Sequence, residues 1–204
     1  RSNDYTVRAI ESFFKNTEIN DDDEFLLIDN DGCELDKFLI YKKIRIIKNK
    51  SPMSFAKNVN QAIEEAKKTK KDLVFINNDV IFTKNWFKPI RVNSENISIP
   101  VNNQIFPYAS ACGNLKLNVT MSLNDFNDKN ILLEEIADKH CKKYENFKKF
   151  QGLLMPFFCF KVPYKILKEV GLFDTSFVEG AEDVDYRIRS AIKGYDVNFV
   201  INSY

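Results

Sequence analysis

Residues 55–80 read FAKNVNQAIEEAKKTKKDLVFINNDV, and the division of this stretch decides the fold. Its first half sets Phe55, Val59, Ile63 and Ala66 on one helical stripe behind Ser54, a favourable N-cap. Its second half, DLVFI, is a short unbroken apolar run of the kind that forms a buried strand. The run then meets Asn77, Asn78 and Asp79, two amides and a carboxylate at the mouth of an apolar strand. An Asx-rich turn is the plain reading, since these side chains fold back onto their own backbone. A metal and phosphate site is the sharper one.

Working outward, strand and helix signals alternate. DYTVRAIESFFKN (4–16) spaces Val7, Ile10, Phe13 and Phe14 as a helix does, with Asn3 or Asp4 to cap it. EFLLIDNDG (24–32) is a short buried strand ending in turn residues, KIRIIKN (43–49) a second, and NISIPV (96–101) follows the DLVFI strand as a fourth. DKNILLEEIADKHCKKYENFKKF (128–150) is an amphipathic helix, expected as an insertion beside a cleft. MPFFCFKV (155–162) reads as a strand, and PYKILKEVG (163–171) as a helix with Pro163 near its start and Gly171 near its end. EDVDYRIRSAIKGY (182–195) is a helix expected to turn Val184, Ile188 and Ile192 inward, with Gly194 as its C-cap. This alternation predicts an α/β sheet protein.

The chain has 204 residues, 44% of them hydrophobic, with 18 Phe and 8 Tyr, enough for one globular domain with a real core. A formal charge of +1 gives no electrostatic case for binding nucleic acid. Positive charge is local, in KKTKK (67–71) and KKYENFKK (142–149). A solvated helix face is the expected role, and contact with anionic lipid or an acidic polymer the alternative. Cys33, Cys112, Cys141 and Cys159 have no CxxC spacing, so neither a zinc site nor a disulfide framework is expected. No apolar run reaches membrane-spanning length, and the opening RSNDYT is not a secretion leader. A cytoplasmic location is expected, with peripheral membrane contact as the alternative. The sequons at Asn96 and Asn118 are expected to be unused.

Four polar stations fall at strand ends or helix entrances: IDNDG (28–32), NVNQA (58–62), INND (76–79) and EGAEDVD (179–185). In open α/β sheets the ligand crevice lies at the carboxyl ends of the strands, so the first and third stations are expected to share one crevice.

In this order the stations resemble those of a family-2 glycosyltransferase of the GT-A fold. VRAIESFFKNT…EFLLIDNDG resembles the family's opening helix and the strand ending in Asp. FAKNVNQAIEEAKKTKKDLVFINNDV resembles its Asn-bearing helix and DXD-type metal motif. EVGLFDTSFVEGAEDVDYRIRSAIKGYDVNFV, the most specific segment, resembles the Gly-Phe-Asp stretch and the Glu-Asp catalytic motif. The likeness runs from about Thr6 to Val200 and is weakest over 104–151. It implies a mixed, mostly parallel Rossmann-like sheet flanked by helices, one domain over 1–204, with a nucleotide-binding half (1–100) and an acceptor and catalytic half (101–204). Such a sheet begins with a strand, whereas this sequence begins in a polar stretch leading into a helix. A first strand and further domains are therefore expected elsewhere in a longer chain.

The resemblance implies inverting transfer of a hexosyl or deoxyhexosyl group from a nucleotide-diphosphate donor, of UDP or dTDP type, to a glycan, glycolipid or glycoprotein hydroxyl. Breaking the anomeric bond builds negative charge on the diphosphate, which a divalent cation offsets. Asp79 is the expected metal ligand, for Mn²⁺ or Mg²⁺. Asp29 is expected on the nucleobase or ribose, assisted by Asn58 and Asn60, with Asn77 and Asn78 in the same donor-facing turn. Asp183, in the first turn of its helix, is the expected base. The macrodipole there favours its ionised form, though it lowers its basicity. Glu182 is its rival.

Departures from the family pattern are specific. Asn77 stands where many relatives carry the first Asp, so whether it meets metal or ribose stays open. Gln61 stands where Gly is common. His140, the only histidine, is expected on the surface rather than at a metal, and Trp86 in the core. Two other readings remain: a sugar nucleotidyltransferase, for which no Gly-rich basic loop is visible, and a binding module on the same fold without strong catalysis, which Asn77 keeps open.

Overall fold

In the computed structural model, residues 4–32, 35–41, 43–102, 123–145, 150–151, 158–177 and 180–204 are described. Six helices and seven strands lie among them. In chain order these are α1 (Asp4–Asn16), β1 (Phe25–Asp29), a 3₁₀ turn (Asp36–Ile40), β2 (Ile44–Lys48), α2 (Phe55–Thr69), β3 (Leu73–Ile76), α3 (Phe87–Arg91), β4 (Ile97–Pro100), α4 (Leu123–Lys143), β5 (Phe150–Gln151), β6 (Cys159–Val162), α5 (Tyr164–Val170), α6 (Glu182–Ile192) and β7 (Val197–Val200). The strands form a parallel β1–β2 pair and a five-stranded sheet in the order β3-β6-β4-β7-β5.

The α/β expectation holds, and the sheet is mixed. The β1–β2 and β4–β7 pairings are parallel, whereas β3–β6, β4–β6 and β5–β7 are antiparallel. Two strands cause this: β6 comes late in the chain and runs between β3 and β4, antiparallel to both, and β5 runs antiparallel to β7 at the sheet's end.

Helix α2 shows how the sequence builds its element. The Ser54 hydroxyl accepts the Lys57 N–H at 3.5 Å, and Lys70 closes the last turn in the left-handed region at φ 56°. Ala56, Val59, Ala62, Ile63 and Ala66 are the buried stripe. Ala56, Val59, Ile63 and Ala66 pack in one cluster with Ile97, Ile99, Phe160 and Val162 of the sheet and Ile166 and Leu167 of α5. Each fully buried aliphatic side chain of this kind contributes about 1.5–3 kcal/mol.

Alternation along β3 and β6 sends Phe75 and Phe160 into this cluster, and Val74, Ile76 and Cys159 into a second one on the opposite face. There Phe13 of α1 meets Phe82, Trp86 and Ile90. Trp86 is a core residue, as expected, and its indole N–H donates to Thr17 Oγ1 at 2.8 Å. Helices α1 and α2 therefore cover opposite faces of the sheet.

Two expectations are corrected. His140 is not on the surface. It is 5% exposed and donates its Nε2–H to the Ile201 carbonyl at 2.8 Å, which ties α4 to the turn after β7. In α6 the inward residues are Tyr186 and Ser190, while Ile188 and Ile192 are 48% and 76% exposed. The phase of this helix is set by Tyr186 stacking on Phe173, with ring centroids 4.2 Å apart, and by Arg189. The Arg189 guanidinium pairs with Asp185 and donates to the carbonyls of Val170 and Leu172. Cys141 and Cys159 are free thiols. No helix among the described residues is long and apolar enough to cross a membrane.

Candidate nucleotide-sugar site

A cavity of about 960 Å³ opens between β1 and β3. It is apolar midway and polar at both ends: Asp22, Asp23, Glu24, Asp72, Arg91 and Lys161 line it where the strands begin, and a second polar group lines it where the two strands finish. There Asp29, Asn30, Asp31, Asn58, Asn77 and Asn78 converge. The expectation that the first and third stations share one crevice is met, and Asn58 joins them from the first turn of α2.

Each of these residues is held by its element. Asp29 ends β1, is 2% exposed, and its carbonyl accepts the Asn49 N–H at 2.9 Å. The Asn77 N–H donates to the Phe158 carbonyl at 2.9 Å, continuing the β3–β6 ladder by one residue before the chain turns. Asn78 donates to Thr6 Oγ1 at 3.0 Å, which fixes the turn against α1. Asp79, next in that turn, is exposed and makes no hydrogen bond or ion pair with the described residues. The Asx-turn reading and the ligand reading thus divide the motif between them: Asn78 fastens the turn, and Asp79 is presented by it.

An amide network lies beside this end. Asn49 donates to both Asn30 Oδ1 and Asn58 Oδ1 at 2.9 Å, and Gln61 donates to Asn49 Oδ1 at 2.9 Å. Asn30 also brackets Met53, accepting its N–H at 2.8 Å and donating to its carbonyl at 3.1 Å. Gln61 thus occupies the room a glycine would leave, and puts it to use as a donor. Asn30 and Asn49 were not foreseen. The signal for Asn49 was its place at the carboxyl end of the KIRIIKN strand, the position that drew attention to Asp29 and Asn77.

Asn60 does not line the cavity. Its amide donates to the Phe173 carbonyl at 2.9 Å and accepts the Phe173 N–H at 2.8 Å. Both ends of the side chain are thereby committed to the backbone that leads to α6.

The fourth station also lies outside this cavity. Gly180 and Ala181 both take positive φ, 86° and 71°, and deliver the chain to the start of α6. For Ala181, a non-glycine, that conformation costs about 1 kcal/mol. Glu182, Asp183 and Asp185 fill the first turn, where the helix dipole favours negative charge. Asp185 is taken by Arg189, and Asp183 accepts the Val184 N–H at 2.8 Å. Among the described residues Glu182 Oε2 is buried without a hydrogen-bond partner, and so is the hydroxyl of Tyr186 one turn later. A buried carboxylate oxygen left without a donor is costly, and such atoms often await a ligand.

Among the described residues no group of three His, Cys, Asp or Glu side chains gathers as a metal site. Where the strands finish, the carboxylates lining the cavity are Asp29 and Asp31 with amides beside them, and Asp79 stands exposed in the turn just past Asn78. Such a set suits a hard cation that completes its shell from phosphate oxygens and water.

This arrangement of helices and sheets is the GT-A glycosyltransferase fold. Among solved structures, a GalNAc-T7 crystallised with UDP, GalNAc and Mn²⁺ matches 97% of this chain with a TM-score of 0.65, at 14% sequence identity. The chain spans 40% of the length of that protein. No family model matches the sequence, and no curated protein does.

Proposed function

We propose that this chain is an inverting glycosyltransferase of family 2, moving a sugar from a UDP- or dTDP-type donor to a hydroxyl of a glycan acceptor. The observation that carries this reading is the meeting of Asp29, Asn77 and Asn78 at the end of one cavity where two strands finish. The fold is shared with a protein crystallised with UDP, GalNAc and Mn²⁺.

In this reading Asp29 accepts hydrogen bonds from the ribose or base, with Asn58 beside it. Asp79 holds Mn²⁺ or Mg²⁺, and Asn77 turns its amide oxygen to the metal or the ribose. When bound, the cation offsets the charge that grows on the departing diphosphate. Asp183 takes the proton of the acceptor hydroxyl as its oxygen attacks the anomeric carbon from the face opposite the diphosphate, which inverts the configuration. Glu182, with its unpartnered oxygen, orients that hydroxyl or shares the base role. Asn60 serves at one remove, by fixing the backbone before α6.

The test is a transfer assay over UDP-, dTDP- and GDP-sugars with and without Mn²⁺, preceded by a thermal-shift screen to choose the donor. Metal-dependent transfer supports the reading, and failure to bind any nucleotide sugar removes it. A second reading, a nucleotide- or carbohydrate-binding module without transfer, is favoured by Asn77, an amide where the metal motif calls for an acid. Donor binding with neither transfer nor hydrolysis would select it.

A further inference from the structure

Met53, in the loop between β2 and α2, is 38% exposed, yet its N–H, its carbonyl and its sulfur are each held by a neighbouring side chain. The N–H donates to Asn30 Oδ1 at 2.8 Å. The carbonyl accepts from the Asn30 amide at 3.1 Å and from the Asn58 amide at 3.3 Å. The thioether sulfur accepts from Gln61 Nε2 at 3.3 Å. These holders are themselves joined through Asn49, which bonds Asn30, Asn58 and Gln61. Methionine is unbranched and rich in rotamers, so an exposed one ordinarily stays loose. This one is fixed.

Securing the loop does not account for the whole pattern. Asn30 alone serves both backbone groups of Met53, and Ser54 caps α2 with its own hydroxyl. The bond from Gln61 leaves the backbone untouched and sets the direction of the thioether and of the methyl group beyond it. The location matters as well. Asn30 follows Asp29 at the end of β1, and Asn30 and Asn58 both line the cavity where β1 and β3 finish. A preset apolar and polarisable group therefore stands beside the polar residues to which the nucleotide is assigned.

We propose that Met53 is the wall on which the base of the donor nucleotide stacks, set in place by Asn30 and Asn58 and in direction by Gln61. A thioether makes favourable contacts with aromatic rings, and the base is the aromatic part of a nucleotide sugar. The inference rests on the reading of this site as a nucleotide-sugar site, and it adds the group that meets the face of the base. Because the hydrogen bonds fix the side chain in the folded protein, its rotamer entropy is lost on folding and not again on binding. Stacking reads the face of a ring and tolerates changes at its edge. The wall therefore accepts uracil and thymine alike, and the choice between UDP and dTDP falls to other residues.

Nuclear Overhauser spectra of the protein carrying ¹³C-methyl methionine test this directly. The Met53 methyl signal is identified by its loss in Met53→Leu, and UDP and dTDP are added in turn with Mg²⁺. The expected result is magnetisation transfer between the Met53 methyl group and the ring protons of the bound base. In calorimetric titrations Met53→Ala should weaken nucleotide binding by about three- to tenfold. Nucleotide bound to the wild type without that transfer, or bound equally by wild type and Met53→Ala, would overturn this inference and leave the proposed function standing. Failure of both nucleotides to bind the wild type, with Mg²⁺ or Mn²⁺, would remove the two together.

Discussion

The carboxamide of Asn60 holds the main chain of Phe173 at both ends, accepting its N–H at 2.8 Å and donating to its carbonyl at 2.9 Å. The Phe173 ring in turn stacks on Tyr186, with centroids 4.2 Å apart and planes 12° from parallel. One side chain on α2, the helix beside the cavity, thus sets the position of α6, the helix that carries Glu182 and Asp183. The two halves of the candidate machinery are coupled through this clamp.

Asn60→Ala removes both bonds and leaves a backbone N–H and carbonyl of a buried residue without partners. A loss of about 2 kcal/mol is expected, which in a chain of this length lowers Tm by roughly 4–8 °C. Asn60→Asp keeps the acceptor but not the donor, so it should fall between the two. Thermal unfolding of the three proteins checks the order, and an unchanged Tm in Asn60→Ala would contradict the clamp.

Tyr186→Phe should raise stability by about 1 kcal/mol, because the hydroxyl it removes is buried and has no partner among the described residues while the ring keeps its stack on Phe173. Chemical denaturation measures this. A drop in the midpoint would mean that the hydroxyl has a partner in solution.

His140 gives the stability a pH dependence with a definite sign. Burial, reinforced by nearby Lys143, holds its pKa below the ordinary histidine value, although the bond to the Ile201 carbonyl opposes this. Below about pH 6.5 the unfolded chain therefore binds the proton first, so this contribution is complete above that pH and is lost as the pH falls toward the folded pKa. His140→Gln retains an N–H for the Ile201 carbonyl but cannot titrate. Its Tm should decline less than the wild type's between pH 7.5 and pH 5, and parallel curves would count against the assignment.

Much of this was legible in the sequence where one force dominates. The stripe of α2 and the apolar runs of β1 and β3 follow from burial alone, and the polar residues that end those two strands line the same end of one cavity. Helix α6 was misphased because its amphipathic pattern is ambiguous: Ile188 and Ile192 share a spacing with Tyr186 and Ser190. The decision falls to partners remote in the chain, Phe173 for the ring and the Val170 and Leu172 carbonyls for Arg189. His140 was misplaced for the same reason, since its partner Ile201 lies 61 residues on. The dual use of Asn60 was hidden because a helix-surface asparagine looks the same whether it meets a ligand or a neighbouring backbone.

Asp183→Asn should leave donor binding intact and lower the rate of transfer by about 10²–10⁴-fold, the usual worth of a general base. Glu182→Gln should cost less if that residue only orients the acceptor. Steady-state kinetics on the pair separates the roles. Equal activity in wild type and Asp183→Asn would remove the base assignment and leave Glu182 as the candidate.

The central claim is that the turn after β3 presents Asp79 to a metal-bridged nucleotide at the mouth of the β1–β3 cavity. Calorimetric titration of UDP and dTDP into the wild type and Asp79→Ala, each with and without Mn²⁺, tests it most directly. The account predicts tight binding of one of these nucleotides to the wild type only when Mn²⁺ is present, and loss of that metal-dependent increment in Asp79→Ala. Binding that is indifferent to the metal, or equal in the two proteins, would contradict it.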